Sequence, residues 1–351
     1  MAKLLAVALL STATAMHAPH MRRFGVKDDR AKKHDLVAKS NLEPKPPGAL
    51  RAAYAACGLG TSAAWTTVVW TTIRSNQPLG AMMPSSTHGV FARMSVLSAV
   101  PLIASCYATL ASASDSWEQL GAPTCRRLNL ALLTAGVGSA LWVGFAPIVT
   151  QIPGSNPLAS HQSYGGAMKA ALIGSYGASA ALSAAVWARS LPEDVRKRPL
   201  SWPGRVADGV AKSLVSLAPA SADDPVNVKY ALLTASFALF AAIGLGPFPL
   251  AVVPSWTGRR CSRAFPAWTL LAAASSYSLK EARESGKLFA DEAYRTLSTG
   301  LAGFGALYLA AKAGALFIDP SFPVHYKIVT QVIGYQALAA VMIGLTLRPD
   351  H

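Results

Sequence analysis

The chain has 351 residues, 52% hydrophobic and 14% charged, with a formal net charge of +15 and a mean hydropathy of +0.33. Soluble domains carry about 25% charged residues; here the apolar residues form long blocks with the charges between them, which speaks against a soluble globular domain and for a polytopic helical membrane protein. The positive balance fits Lys and Arg in loops on one side of a bilayer better than a nucleic-acid surface, because no basic patch interleaved with aromatics occurs.

Residues 1–15, MAKLLAVALLSTATA, have one early lysine, a short apolar core from Leu4 to Leu10 and small residues ending at Ala15. That is the pattern of a cleavable signal peptide, and the core is too short to span a bilayer. Residues 16–48 form a basic, aromatic-poor, transit-like leader that ends in prolines. A signal peptide followed by such a tract resembles the bipartite leader of algae with complex plastids. The resemblance implies a plastid membrane, with the mitochondrial inner membrane and a secretory-pathway membrane as alternatives.

A span takes about 20 apolar residues. Candidates follow near 50–73, 90–112, 128–150, 164–188, 229–253, 264–280, 296–318 and 326–347. The expected fold is an all-α integral membrane protein with eight transmembrane helices. Pro101 is expected to kink the second span. The sixth, AFPAWTLLAAASSYSL, is short and carries Pro266 near its start, so a re-entrant or interfacial segment is its alternative. With eight spans both termini share one side, here called cis. The cis loops hold about fourteen Lys and Arg, among them Arg126, Arg127, Arg189, Lys280 and Arg295, against about six on the trans side. This is the positive-inside bias. Cys125 and Cys261 then fall at opposite faces and cannot pair.

Five short phrases occur twice in the same order. ASCY at Ala104–Tyr107 matches ASSY at Ala274–Tyr277, and CRRLN at Cys125–Asn129 matches YRTLS at Tyr294–Ser298. AGVGSALW at Ala135–Trp142 matches AGFGALY at Ala302–Tyr308, IGSYGA at Ile173–Ala178 matches IGYQA at Ile333–Ala337, and RSLPED at Arg189–Asp194 matches RPD at Arg348–Asp350. This points to two parallel four-helix repeats, residues 49–189 and 229–351, joined by a linker at 190–228. The first and fifth spans align poorly. Four spans per repeat is an even number, so both repeats insert with the same orientation about a pseudo-two-fold axis along the membrane normal. In the linker, Val206, Val210, Leu214 and Leu217 share one helical stripe, as in an interfacial amphipathic helix or a helix packed on protein.

Gly136, Gly138, Gly303 and Gly305 lie inside apolar runs, where glycine lets helices approach closely, and not in a phosphate-binding loop. The two pairs are expected at equivalent places in the repeats. No catalytic constellation and no metal-ligand spacing occurs, and no cofactor is assigned. His161 and His325, at span entrances on the trans side, are candidates for axial ligation of a haem or chlorophyll, with a solvated interfacial histidine as the alternative. Lys169 and Lys312 lie at similar depth, about 8–10 Å from the trans surface at 1.5 Å per residue, and Arg93 enters from the same side. Together they suggest a cationic vestibule for an anionic solute or lipid headgroup, with snorkelling as the alternative. Lys280–Arg295 reads as a solvated helix or partner-docking surface.

The expected function is a carrier or channel for a small, anionic solute or lipid, because a duplication places a site at the interface of the repeats; the alternative is a non-catalytic subunit or assembly factor of an organellar, photosynthetic membrane complex, and the further alternative a membrane enzyme acting on an isoprenoid or lipid. A carrier calls for a solvated cavity between the repeats, lined by polar groups such as Thr66, Thr67, Thr71 and Thr72. A subunit calls for a filled interior. The expected partners are the lipid bilayer and subunits of a membrane complex, with no nucleic acid.

Overall fold

The computed structural model describes residues 48–74, 97–144, 166–191, 224–245, 256–285 and 292–318, with short pieces at 196–197, 217 and 341–342. The described residues are all helical apart from their turns. The helices are α1 (Ala49–Arg74), α2 (Val100–Ser112), the short α3 (Trp117–Leu120), α4 (Pro123–Gly144), α5 (Gly166–Arg189), α6 (Pro225–Leu245), α7 (Trp256–Glu284) and α8 (Glu292–Ile318). A 3-10 turn at Ala113–Asp115 links α2 to α3. Seven of the eight apolar runs thus contain a helix. The leader, most of the linker with its amphipathic stripe, and nearly all of the run at 326–347 lie outside the described residues.

Local chemistry sets the helix starts. Pro123 opens α4 and Pro225 opens α6, positions where a missing N–H costs nothing. Asp224 caps α6: its Oδ1 accepts from the N–H of Val226 at 3.0 Å and of Asn227 at 3.4 Å. Ser116 caps α3 through the N–H of Glu118 at 3.1 Å. Pro101 stands in the first turn of α2, where its missing N–H costs nothing.

Neighbouring helices run up and down. Side-chain contacts gather the N-termini of α1, α4, α6 and α8 and the C-termini of α2, α5 and α7 at one end. Tyr54 meets Asn129, Thr109 meets the Ala293 carbonyl, Arg283 meets Asp224, and Arg189 lies over Trp117. This end carries Arg126, Arg127, Lys280 and Arg283 and is the cis end of the sequence reading. α7 is the central helix, packed on α6, α4 and α8 and crossing α2. From Trp268 to Lys280 every residue of it is buried.

The neighbour relations come in pairs. α1 packs on α2 as α6 packs on α7, and α4 packs on α7 as α8 packs on α2. α2 and α7 cross each other where Cys106 Sγ and Ser275 Oγ lie 3.6 Å apart. In α1 the buried stripe is Leu50, Tyr54, Gly58, Thr61 and Trp65; in α6 it is Val226, Tyr230, Thr234, Phe237 and Ala241, with identical spacing. Both tyrosines are the sixth residue of their helix. Tyr54 donates to Asn129 Oδ1 at 2.8 Å, and Tyr230 is hydrogen-bonded to Ser298, the residue the sequence match sets opposite Asn129.

At 1.5 Å per residue, α7 is about 43 Å long and α1 about 39 Å, against about 30 Å of bilayer hydrocarbon. Among the described residues one stretch, Ala167–Arg189 of α5, is both long and apolar enough to cross a membrane, and Pro225–Ala241 is a shorter apolar stretch.

Candidate functional site

The interface of α1–α5 with α6–α8 is closed at three levels. At the cis end Arg127, fully buried, reaches Glu281 at 2.5 Å, joining α4 to α7. Lys280, 2% exposed, reaches Glu284 at 2.8 Å, one turn on. Both cations face the ring of the buried Tyr277, Arg127 at 4.7 Å and Lys280 at 5.9 Å from its centroid. The carboxylates are about a quarter exposed, Glu281 at 27% and Glu284 at 23%. The cations therefore point inward and the carboxylates close over them. Thr124 and Tyr294 hydroxyls meet beside this cluster at 3.3 Å.

Two groups at the rim titrate away from their ordinary range. Burial, and then the neighbouring charge of Arg127, lower the pKa of Arg126. Burial works against the Asp224 carboxylate, but the N–H of Val226, the Arg283 guanidinium at 3.3 Å and the N–H of Asn227 outweigh it and hold its pKa below the usual carboxylate value.

At the middle level Cys106 Sγ meets Ser275 Oγ at 3.6 Å across the interface, while within α1–α5 Tyr107 shares hydrogen bonds with Thr61 at 3.2 Å and with Ser179, tying α2 to α1 and α5. Gly58 lies under this tyrosine: a Cβ there would stand 2.9 Å from Tyr107 Cβ. Gly300 lies under Ser105 in the same way, with an added Cβ 2.3 Å from Ser105 Cβ and 3.1 Å from the Pro101 carbonyl oxygen. At the far level Trp65, Trp268 and Tyr176 stack, with ring centroids 5.5 Å and 6.2 Å apart. Beside the α2–α8 crossing is an open groove of about 640 Å³, lined by Pro101, Ser105, Glu292, Arg295, Thr296, Thr299 and Gly300.

The residues singled out from sequence distribute as follows. Lys169 lies half-buried in the first turn of α5, and Lys312 lies on α8 six residues before its end. α5 packs on α4 and α1, α8 on α2 and α7. Arg93, His161 and His325 lie outside the described residues. Thr66 faces outward and donates to the Ser62 carbonyl at 2.8 Å, while Thr67 is half-buried.

Gly136 and Gly303 face different neighbours. A Cβ on Gly136 would stand 3.0 Å from the Tyr176 carbonyl oxygen on α5; one on Gly303 would stand 2.9 Å from Pro101 Cβ on α2. The doubled phrase is out of register by two residues relative to the CRRLN and YRTLS match that precedes it. Two residues turn a helix by about 200°, so the glycines look to opposite sides. Gly138 is half-buried and Gly305 buried.

Sequence reading missed Arg127, Tyr277, Lys280 and Glu281, having counted the charges as loop residues. Lys280–Glu284, read as the start of a solvated helix or docking surface, is helical as the end of α7, but Lys280 is buried. The available signals were the i, i+4 spacing of Lys280 and Glu284 and the apolar Cys125 and Leu128 on either side of the arginine pair.

Among the described residues no group of acidic, histidine and cysteine side chains is placed to hold a metal ion. Comparison of the chain with protein-family models, with curated proteins and with solved structures returns no match.

Proposed function

We propose that the chain is an eight-helix integral membrane protein of two parallel four-helix repeats, acting as a non-catalytic subunit or assembly factor of an organellar membrane complex. The observation that carries the role is α7, buried on every side from Trp268 to Lys280. A helix in that position fills the place where a carrier would hold its solute path. Tyr107, Cys106–Ser275 and the tilted rings of Trp65, Trp268 and Tyr176 fill the interior around it, and of the threonines expected to line a path Thr66 faces out while Thr67 is half-buried.

The repeat reading is supported by the paired helix contacts, by the Tyr54–Asn129 and Tyr230–Ser298 bonds, and by the α2–α7 crossing. At that crossing Cys106 meets Ser275, and the sequence match sets Ser276 opposite Cys106 and Ser105 opposite Ser275. A contact between near-counterparts is what a two-fold axis through the crossing produces. The membrane reading is supported by the apolar stretch of α5, by the alternating helix directions, and by large exposed side chains at Leu59, Leu232 and Leu239, 76%, 60% and 58% exposed. The plastid placement rests on the leader.

One observation favours the carrier reading as a second choice. Arg127 and Lys280 are buried cations at the cis mouth, and Arg127–Glu281 bridges the two repeats there, as a gate over an anion path would. Blue-native electrophoresis of solubilised membranes with mass spectrometry separates the two. Co-migration with a large complex supports the subunit. A lone or dimeric species, with anion flux in vesicles that Arg127→Met alters, overturns it in favour of the carrier.

A further inference from the structure

We infer that the groove between α2 and α8 is a binding site for one phospholipid of the cis leaflet whose headgroup carries a primary amine beside its phosphate, that is, a phosphatidylethanolamine. The inference rests on the membrane reading above.

The two repeats differ at this place. By the matches ASCY/ASSY and CRRLN/YRTLS, the groove residues Ser105, Thr296, Thr299 and Gly300 are the counterparts of Ser275, Arg127, Leu130 and Ala131. At the matching contact of α4 with α7 those counterparts are all buried, Leu130 at 3% and the others at 0% exposure, and Arg127 fills the space with its bridge to Glu281. In the second repeat the arginine is a threonine, the leucine a threonine and the alanine a glycine. The result is a groove of about 640 Å³ in place of a filled seam.

What the groove presents is chemically one-sided. Ser105 donates its hydroxyl hydrogen to the Leu102 carbonyl, Thr296 to that of Glu292 and Thr299 to that of Arg295, each at 2.9 Å. The Thr296 and Thr299 hydroxyl protons are committed to the main chain, so these two oxygens offer lone pairs to a ligand. Glu292 adds a carboxylate and Arg295 a guanidinium. A primary ammonium, with three N–H donors, suits the acceptors and Glu292; a phosphate suits the guanidinium three residues on. A quaternary ammonium has no N–H to give.

Position agrees with chemistry. Glu292 and Arg295 stand in the first turn of α8 at the cis end, where headgroups lie. The groove floor at Gly300 and Pro101 is deeper and apolar, suited to the start of an acyl chain.

The test uses the full chain purified in mild detergent, stripped of lipid, and exposed separately to phosphatidylethanolamine, phosphatidylcholine and inorganic phosphate, with retained molecules counted by native mass spectrometry. The expected result is one retained phosphatidylethanolamine, with phosphatidylcholine and free phosphate retained about tenfold less. Glu292→Gln removes a charge-assisted hydrogen bond and should lower retention about tenfold. Thr299→Leu, which restores the first repeat's residue at an exposed position, should lower it by at least as much. Equal retention of the two lipids, or undiminished retention in both variants, overturns the site while leaving the membrane reading intact. A chain recovered outside membranes on cell fractionation overturns both.

Discussion

The Arg127–Glu281 bridge should respond unequally to loss of its two ends. Arg127 is fully buried and Glu281 is 27% exposed. Glu281→Ala leaves a buried guanidinium over the face of Tyr277 without its carboxylate, and removal of one partner of a buried pair costs about 3–5 kcal/mol. Arg127→Met keeps much of the side-chain volume and leaves a carboxylate that water can reach, so the loss should be about 1–2 kcal/mol, the scale of one charge-assisted hydrogen bond. The double variant Arg127→Met/Glu281→Leu removes both charges and should fall within about 1 kcal/mol of the parent, since a buried ion pair replaced by apolar groups is often neutral. The assay is unfolding of the purified chain in mixed micelles titrated with SDS, followed by tryptophan fluorescence. Equal losses in the two single variants, or a double variant as unstable as Glu281→Ala, would refute the reasoning that burial of the cation dominates.

The same titration checks three further expectations. Tyr54→Phe and Tyr230→Phe should each cost about 1–3 kcal/mol, as for a buried hydrogen bond broken from one side, and should differ from each other by less than either loss. Gly300→Ala should destabilise by about 1–3 kcal/mol through overpacking against Ser105 and Pro101; Gly174→Ala, where nothing stands within 4 Å of the added Cβ, should stabilise by about 0.5–1 kcal/mol. Asp224 has a folded pKa below its unfolded one, so its contribution is present above the ordinary carboxylate pKa and lost as pH falls through the lower folded value. Asp224→Asn should therefore flatten the acid limb of the stability profile while changing little in slope above pH 6, and an unchanged acid limb would contradict that. Separately, residues 1–48 fused to a fluorescent protein should direct it to the plastid of an alga with complex plastids, and retention in the endoplasmic reticulum or delivery to mitochondria would exclude that compartment.

Apolar runs marked seven of the helices because a helix that buries one face and carries apolar side chains such as Leu59, Leu232 and Leu239 on the other has almost no polar position to break the run. The same rule explains why the sixth run looked weak. From Trp268 to Lys280 α7 meets protein on every side, so Ala273, Ala274, Ser275 and Ser276 serve it better than leucine, and its weak apolarity marked the centre of the bundle. The first and fifth runs aligned poorly because their exposed positions exchange Ala and Leu freely. Only the inward stripe repeats, and its one shared large residue is the tyrosine at Tyr54 and Tyr230. The doubled Gly-x-Gly phrase misled because letters were matched without helical phase. The ion pair at Arg127 was illegible because Glu281 lies on another helix, far along the chain, and nothing in either local sequence tells a buried charge from a loop charge.

The most direct test of two membrane-embedded repeats in parallel orientation is the sidedness of four single cysteines in a cysteine-free chain, placed at Ser116, Ser155, Ser255 and Ser285. Labelling of intact, oriented membranes with an impermeant maleimide should modify Ser116→Cys and Ser285→Cys from one side and Ser155→Cys and Ser255→Cys from the other. Ser116→Cys and Ser285→Cys reacting from opposite sides would contradict the parallel repeat, and all four reacting from a single side would contradict the membrane bundle itself.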